Sequence, residues 1–245
     1  MATKNKKFKE NWFFRFLRGF LHTVKRKPYI KNHNEGPLDH GAIIVANHSG
    51  AAGPMDLSIF FPYKFVPWGA HQMKEGYKSR WNYAYHTFYR QKMKYGKVRS
   101  FILATLLSTI NKFLYVNMRL VPTYQDVRFT KTMRESLRFV KDDIPLLIFP
   151  EDSNEGYFEE VTRFNNGFAV FADYAYKHHQ LNLPIYPVYY AKRRKVIVIG
   201  KPLYYADLVN QGLNKSEVAE ALRLKVNELY AALPAAKKPK MKKKG

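Results

Sequence analysis

The stretch Ala42-Ile43-Ile44-Val45-Ala46-Asn47-His48-Ser49-Gly50-Ala51-Ala52-Gly53-Pro54-Met55-Asp56 decides the fold. Five apolar residues without a polar interruption read as a strand buried on both faces, and small residues then lead into a helical pattern over Pro54–Phe61. A strand passing through a short loop into a helix is the opening unit of a mainly parallel α/β sheet flanked by helices on both faces. The same alternation continues along the chain. Further strands are expected at Lys64–Trp68, Leu114–Val121, Pro145–Phe149, Ile185–Tyr189 and Lys195–Ile199. Helices are expected at Phe101–Phe113, Val127–Lys141, Phe164–Lys177 and Ser216–Leu233, the last with Ser216 as its N-cap. Residues 32–40 read as a linker into this body.

Composition bounds the chemistry. The chain has 245 residues, 46% of them apolar and 16% aromatic, enough to bury a core and too hydrophobic for a disordered polycation. It contains no cysteine, which excludes disulfides, thiolate catalysis and cysteine-ligated metal sites. No stretch reaches the ~18 apolar residues of a spanning helix, and the N-terminus lacks a signal-peptide pattern.

The net charge of +23 is unevenly placed. Residues 1–31 carry +9, residues 74–100 carry +7 and residues 237–245 carry +6, leaving +1 for everything else. This divides the chain into a basic amphipathic docking segment (1–31), an α/β body (32–233) with a basic-aromatic and apolar insertion (74–113), and a polybasic tail (234–245). From Trp12 to Val24, Phe13, Phe16, Leu17, Phe20, Leu21 and Val24 recur at helical spacing, with Arg15, Arg18, His22, Lys25 and Arg26 largely opposite. Such a helix lies in a membrane interface or packs its aromatic face on its own core; both readings stand on sequence. The insertion interleaves Tyr77, Trp81, Tyr83, Tyr85, Phe88, Tyr89 and Tyr95 with cations, a pattern suited to bilayer headgroups and equally to single-stranded nucleic acid. The near-neutral body favours the membrane, because a nucleic-acid-binding domain would spread its charge over the folded surface.

Three strand ends carry the chemistry. His48 follows the first strand on a loop of small residues. Ile148-Phe149-Pro150-Glu151-Asp152-Ser153-Asn154 ends a second strand in polar side chains, and Leu183-Pro184-Ile185-Tyr186-Pro187-Val188 is a strand marked by prolines. In this order and spacing, over roughly residues 40–205, they resemble the glycerolipid acyltransferases, of which lysophosphatidate acyltransferases are the best known. That family's first motif is Asn-His, four residues, then Asp; its third is Phe-Pro-Glu-Gly-Thr-Arg.

The resemblance implies that His48 is the general base and Asp56 the carboxylate orienting it, with Glu151, Ser153, Asn154 and Arg119 binding substrate. It implies no cofactor and no metal. The co-substrate would be an acyl thioester of acyl carrier protein or coenzyme A, and the acceptor a lysophospholipid such as 1-acyl-glycerol-3-phosphate. The enzyme would act in phospholipid biosynthesis, peripherally at the cytoplasmic face of an anionic membrane, without nucleic acid. The sequence departs from the pattern in three places. Seven residues separate His48 from Asp56; Asn154 stands where the family has an arginine; and the second motif is loose around Val116–Tyr124, with Arg119 the nearest cation and Arg128 the next. A family member that binds lipid without turnover is the competing reading. Ser49 lacks the G-x-S-x-G elbow of a nucleophile, and His71, His86, His178 and His179 lack metal-ligand spacing.

Overall fold

A computed structural model of the chain describes residues 12–39, 41–50, 52–152, 154 and 156–234. The first eleven residues of the basic segment and the polybasic tail from residue 235 lie outside the described residues.

The described residues form eight strands, β1 (Tyr29–Asn32), β2 (Ile43–Ala46), β3 (Val66–Ala70), β4 (Val121–Thr123), β5 (Leu146–Ile148), β6 (Pro184–Ala191), β7 (Val196–Ile199) and β8 (Leu203–Tyr204). They form one sheet in the order β1-β7-β6-β2-β5-β3-β4, with β8 added on β6. The run from β6 to β4 is parallel, whereas β7 turns back on β6 through a four-residue hairpin, Lys192 to Lys195.

β2 is central, and its unbroken apolar run is explained by its two covers. Ile43 and Val45 join the core made with α5 (Phe129–Lys141), α6 (Gly167–His179) and α8 (Lys215–Ala231). Ile44 and Ala46 join the core on the other face with Leu57 and Phe60 of α2 (Ala52–Phe60), and Leu21 of α1 (Trp12–Val24) packs against it. Alternate residues of one strand thus feed two cores, so a polar residue at any of the four positions would be buried without a partner.

The structure corrects several expectations from sequence. Leu114–Val121 is not a strand: α4 (Lys97–Asn117) runs through most of it, and only Val121–Thr123 pairs with β3. The aromatic and β-branched residues there favour a strand locally, but packing within a helical layer overrides that preference. The N-cap of α8 is Asn214 rather than Ser216. Its Oδ1 accepts from the Ser216 and Glu217 N–H groups while Glu217 accepts from the Asn214 N–H, a complete capping box. Residues 29–31, expected in the docking segment, and Asn32, expected in the linker, form the edge strand β1 alongside β7.

The 74–113 insertion holds the helix expected over Phe101–Phe113, within the longer α4, and forms a small helical cap. It folds into α3 (Tyr77–Asn82), a π-helix over Tyr83–Lys92, and α4, joined by their own small core of Ala84, Tyr89 and Ala104. Some of its cations serve this core. Arg80 is buried, donating from Nε to the Ser108 carbonyl at 2.9 Å, and Arg90 donates to the Tyr95 carbonyl at 2.6 Å.

α1 is clamped to the body at its carboxyl end. Lys25, just past the helix, reaches the carboxylate of Asp56 in α2, which also accepts from the Tyr190 hydroxyl and, at 3.2 Å, from Lys195. Burial alone would raise the Asp56 pKa, but these hydrogen bonds outweigh it and hold the carboxyl below its ordinary value. The lysines facing it are partly exposed and re-hydrate when it is removed, so Asp56→Ala is expected to cost about 1–3 kcal/mol in urea unfolding, through the lost hydrogen bonds. A loss under about 0.5 kcal/mol, the scale of an ordinary surface change, would show that the clamp does not hold α1.

Candidate active site

His48 sits two residues past β2, at the carboxyl end of the central strand, where open α/β sheets place their ligands. Its position is set first by Asn47. The buried Asn47 side chain accepts from the Tyr190 N–H at 2.7 Å and donates to the Tyr190 carbonyl at 3.2 Å, extending the β2–β6 pairing beyond the strand itself.

Ser49 and Gly50 then both adopt left-handed backbone conformations, with φ of 46° and 66°. For Ser49 this is a costly conformation, the kind retained where the surroundings dictate it. The two turns bring the Gly50 carbonyl back to His48 Nδ1 at 2.6 Å. A carbonyl oxygen only accepts, so Nδ1 carries the proton and Nε2 is the basic nitrogen. Next, Gly53 lies so close to the His48 carbonyl that a Cβ there would overlap it. With four residues between it and His48, Gly53 stands where the resembled family carries its aspartate, and only glycine fits there here.

Aromatic rings enclose the imidazole. Tyr157 stacks on it at 4.7 Å between centroids, Phe149 meets it edge-on at 5.1 Å, and Phe88 of the π-helix approaches at 6.5 Å. Burial lowers the His48 pKa to about 4, with the nearby Lys92 charge pulling the same way and the Gly50 carbonyl opposing. The ring is thus neutral at neutral pH, with its lone pair free of a proton.

Glu151 lies alongside. It follows β5, is buried, and accepts from the His48 backbone N–H at 2.8 Å. Burial pushes its carboxyl up to about 7, against the pull of that N–H and of Lys92. Asn154 is exposed, its N–H held by Asp152 at 3.2 Å and its Oδ1 accepting from Gln91 at 3.4 Å.

The structure therefore brings His48 and Glu151 together, with Asn154 on the same loop. It does not pair His48 with Asp56. The longer spacing carries Asp56 into the second turn of α2, where Lys25, Tyr190 and Lys195 take up the carboxylate. Arg119 is also placed apart from His48. It precedes β4, an outer strand parallel to β2, and so lies at the amino end of the sheet, opposite to His48. Arg128, beyond the carboxyl end of β4, is bound to Asp126 at 2.7 Å. Ser153 lies outside the described residues. Among the described residues, no three His, Asp or Glu side chains converge to hold a metal ion.

Sequence reasoning missed Tyr157, Phe88, Lys92 and the Gly50 carbonyl. The Gly-rich loop was the one available signal, since it marks a backbone that turns sharply.

No protein-family model matches the sequence, and no curated protein matches it significantly. Among solved structures, its fold is similar to that of the 1-acyl-sn-glycerophosphate (LPA) acyltransferase PlsC from Thermotoga maritima, with a TM-score of 0.50 over 91% of each chain at 15% identity. The likeness establishes a shared α/β fold.

The two perturbed groups make opposite contributions to stability. Between pH 4.5 and about 7, folded Glu151 keeps a proton that the unfolded chain has lost, so its contribution falls as pH rises. Between pH 6.5 and about 4, the unfolded chain protonates His48 while the folded ring stays neutral, so this contribution falls as pH drops. Glu151→Gln removes the first slope alone. Unfolding free energy in urea is expected to climb more steeply from pH 4.5 to 6.5 in the variant than in the wild type. Parallel curves would contradict the burial of an acidic carboxyl at this position.

Proposed function

We propose that the protein is an acyltransferase moving a fatty acyl group from an acyl thioester, of coenzyme A or acyl carrier protein, to the hydroxyl of a lysophospholipid such as 1-acyl-glycerol-3-phosphate. The observation that carries this reading is the neutral His48 imidazole, its Nδ1 proton committed to Gly50, at the carboxyl end of the central strand in a PlsC-like fold.

The step is balanced by one proton carried twice. As the acceptor oxygen bonds to the thioester carbonyl carbon, its proton passes to His48 Nε2. The tetrahedral oxyanion re-forms its carbonyl and the C–S bond breaks. The imidazolium then returns the proton to the departing thiolate, leaving an ester and a thiol. The acceptor is itself the nucleophile, so no protein nucleophile is needed. In this scheme the Gly50 carbonyl does what a carboxylate does in a hydrolase triad, fixing the tautomer. It brings no full negative charge to stabilise the imidazolium, and the Glu151 carboxyl accepts from the backbone of His48 rather than from its ring.

The site is reached from a lipid surface in this reading. Trp12, Phe16, Phe20 and Val24 form an exposed stripe along α1, and Val98, Phe101, Ile102, Leu106, Ile110 and Val116 expose apolar surface along α4. Exposed Arg15, Lys97, Arg99 and Lys112 accompany them, the combination that settles on an anionic leaflet. Among the described residues, no helix is long and apolar enough to cross a membrane. On this reading the exposed stripes and cations hold the protein peripherally, at the cytoplasmic face of an anionic membrane. The engagement of Asp56 away from His48 favours one other reading, a lipid-binding relative without turnover.

An acyl-transfer assay with lysophosphatidate and other lysolipids, using both thioester donors, separates the two. His48→Ala is expected to lower transfer by about 10²–10⁴-fold while keeping the melting temperature and co-sedimentation with anionic liposomes. Wild-type transfer that the variant matches would end the mechanism, and liposome binding with no transfer to any acceptor would favour the binding protein.

A further inference from the structure

A cavity of about 470 Å³ opens beside the His48 loop, lined there by Ser49, Gly50 and Tyr157. Its charge is one-sided. Lys92, Lys94, Lys192, Arg193 and Arg194 line it against a single acid, Glu159. That acid is already engaged, since Arg193 pairs with it at 3.3 Å and the Tyr230 hydroxyl donates to it at 2.9 Å. No ion pair to Lys92, Lys94, Lys192 or Arg194 occurs among the described residues.

Arg194 supplies an independent sign. Its guanidinium lies 5.4 Å over the Tyr230 ring, and its Nη1 is buried with no hydrogen-bond partner. A buried guanidinium nitrogen without an acceptor loses its hydration for nothing in return, so an anionic oxygen supplied to Arg194 would recover that cost. Arginine also presents a planar fork of donors that matches phosphate oxygens.

We propose that this cavity is a phosphate-ester subsite in which Arg194, Lys192, Lys94 and Lys92 bind the anionic part of a substrate whose reactive group lies at His48. The proposal rests on the acyltransferase reading for what happens at His48, but the binding does not require turnover. It also accounts for Asn154, where the resembled motif has an arginine: here the cations come from the β6–β7 hairpin and from the end of the π-helix. Either an acceptor's phosphomonoester or the diphosphate of a coenzyme A donor presents this chemistry.

The test is calorimetric titration of the full chain with inorganic pyrophosphate, glycerol 3-phosphate and coenzyme A. Losing one charged hydrogen-bonding partner is expected to weaken binding about tenfold in Arg194→Gln. Lys192→Gln, in an exposed turn where no packing is lost, should weaken it severalfold. Lys131→Gln removes the same unit charge from the exposed side of α5, and is expected to change binding by less than about twofold. Tighter binding of coenzyme A than of glycerol 3-phosphate assigns the subsite to the donor, and the reverse order assigns it to the acceptor. No binding of any of the three, or equal weakening by Arg194→Gln and Lys131→Gln, overturns the proposal. Acyl transfer with binding unaffected by Arg194→Gln would remove the subsite alone, whereas specific binding with no transfer would remove the acyltransferase reading alone.

Discussion

The hydrogen bond from His48 Nδ1 to the Gly50 carbonyl is the interaction on which the site depends. It exists only because Ser49 and Gly50 both turn left-handed, and because Gly53 lets α2 begin hard against the His48 carbonyl. The bond determines which nitrogen is basic. The aromatic enclosure then keeps that nitrogen unprotonated, since a charged ring between Tyr157, Phe149 and Phe88 would lose its water. The site thus combines a fixed tautomer with a depressed basicity, and both follow from neighbours rather than from a carboxylate partner.

Asp56 illustrates how a motif residue takes a different task when spacing changes. In the second turn of α2 it ties together α1, the end of β6 and the turn before β7, through Lys25, Tyr190 and Lys195. The N-terminal helix is consequently integrated with the element that follows the His48 loop. A membrane contact made by the outward stripe of α1 would be held at a fixed place relative to His48, and α4, packed over the π-helix, would add a second contact on the same principle.

Legibility in the sequence followed locality. The buried run Ala42–Ala46, the strand ends at His48 and Glu151, and the alternating layers were all readable, because each depends on a few adjacent residues. The partners of Asp56 were not, since Lys25 and Lys195 lie 31 and 139 positions away. Within the insertion the apolar helix at Phe101–Phe113 was readable, but residues 77–92 were not, because their aromatics and cations follow no clean 3.6-residue period and ten of them wind as a π-helix. The charge of the insertion was read as a docking surface, but Arg80 and Arg90 hold the cap together while Lys92 and Lys94 face the cavity. The cavity itself could not be anticipated, as its walls come from the cap, the loop after β5, the β6–β7 hairpin and Tyr230 of α8.

The central claim is that His48 is a neutral, Nδ1-protonated base held by a backbone carbonyl. Nitrogen-15 NMR of the imidazole, followed through a pH titration, tests it without reference to any substrate. A proton on Nδ1 at neutral pH and titration near pH 4 are expected. A proton on Nε2 at neutral pH, or titration near the ordinary value of 6.5, would contradict it.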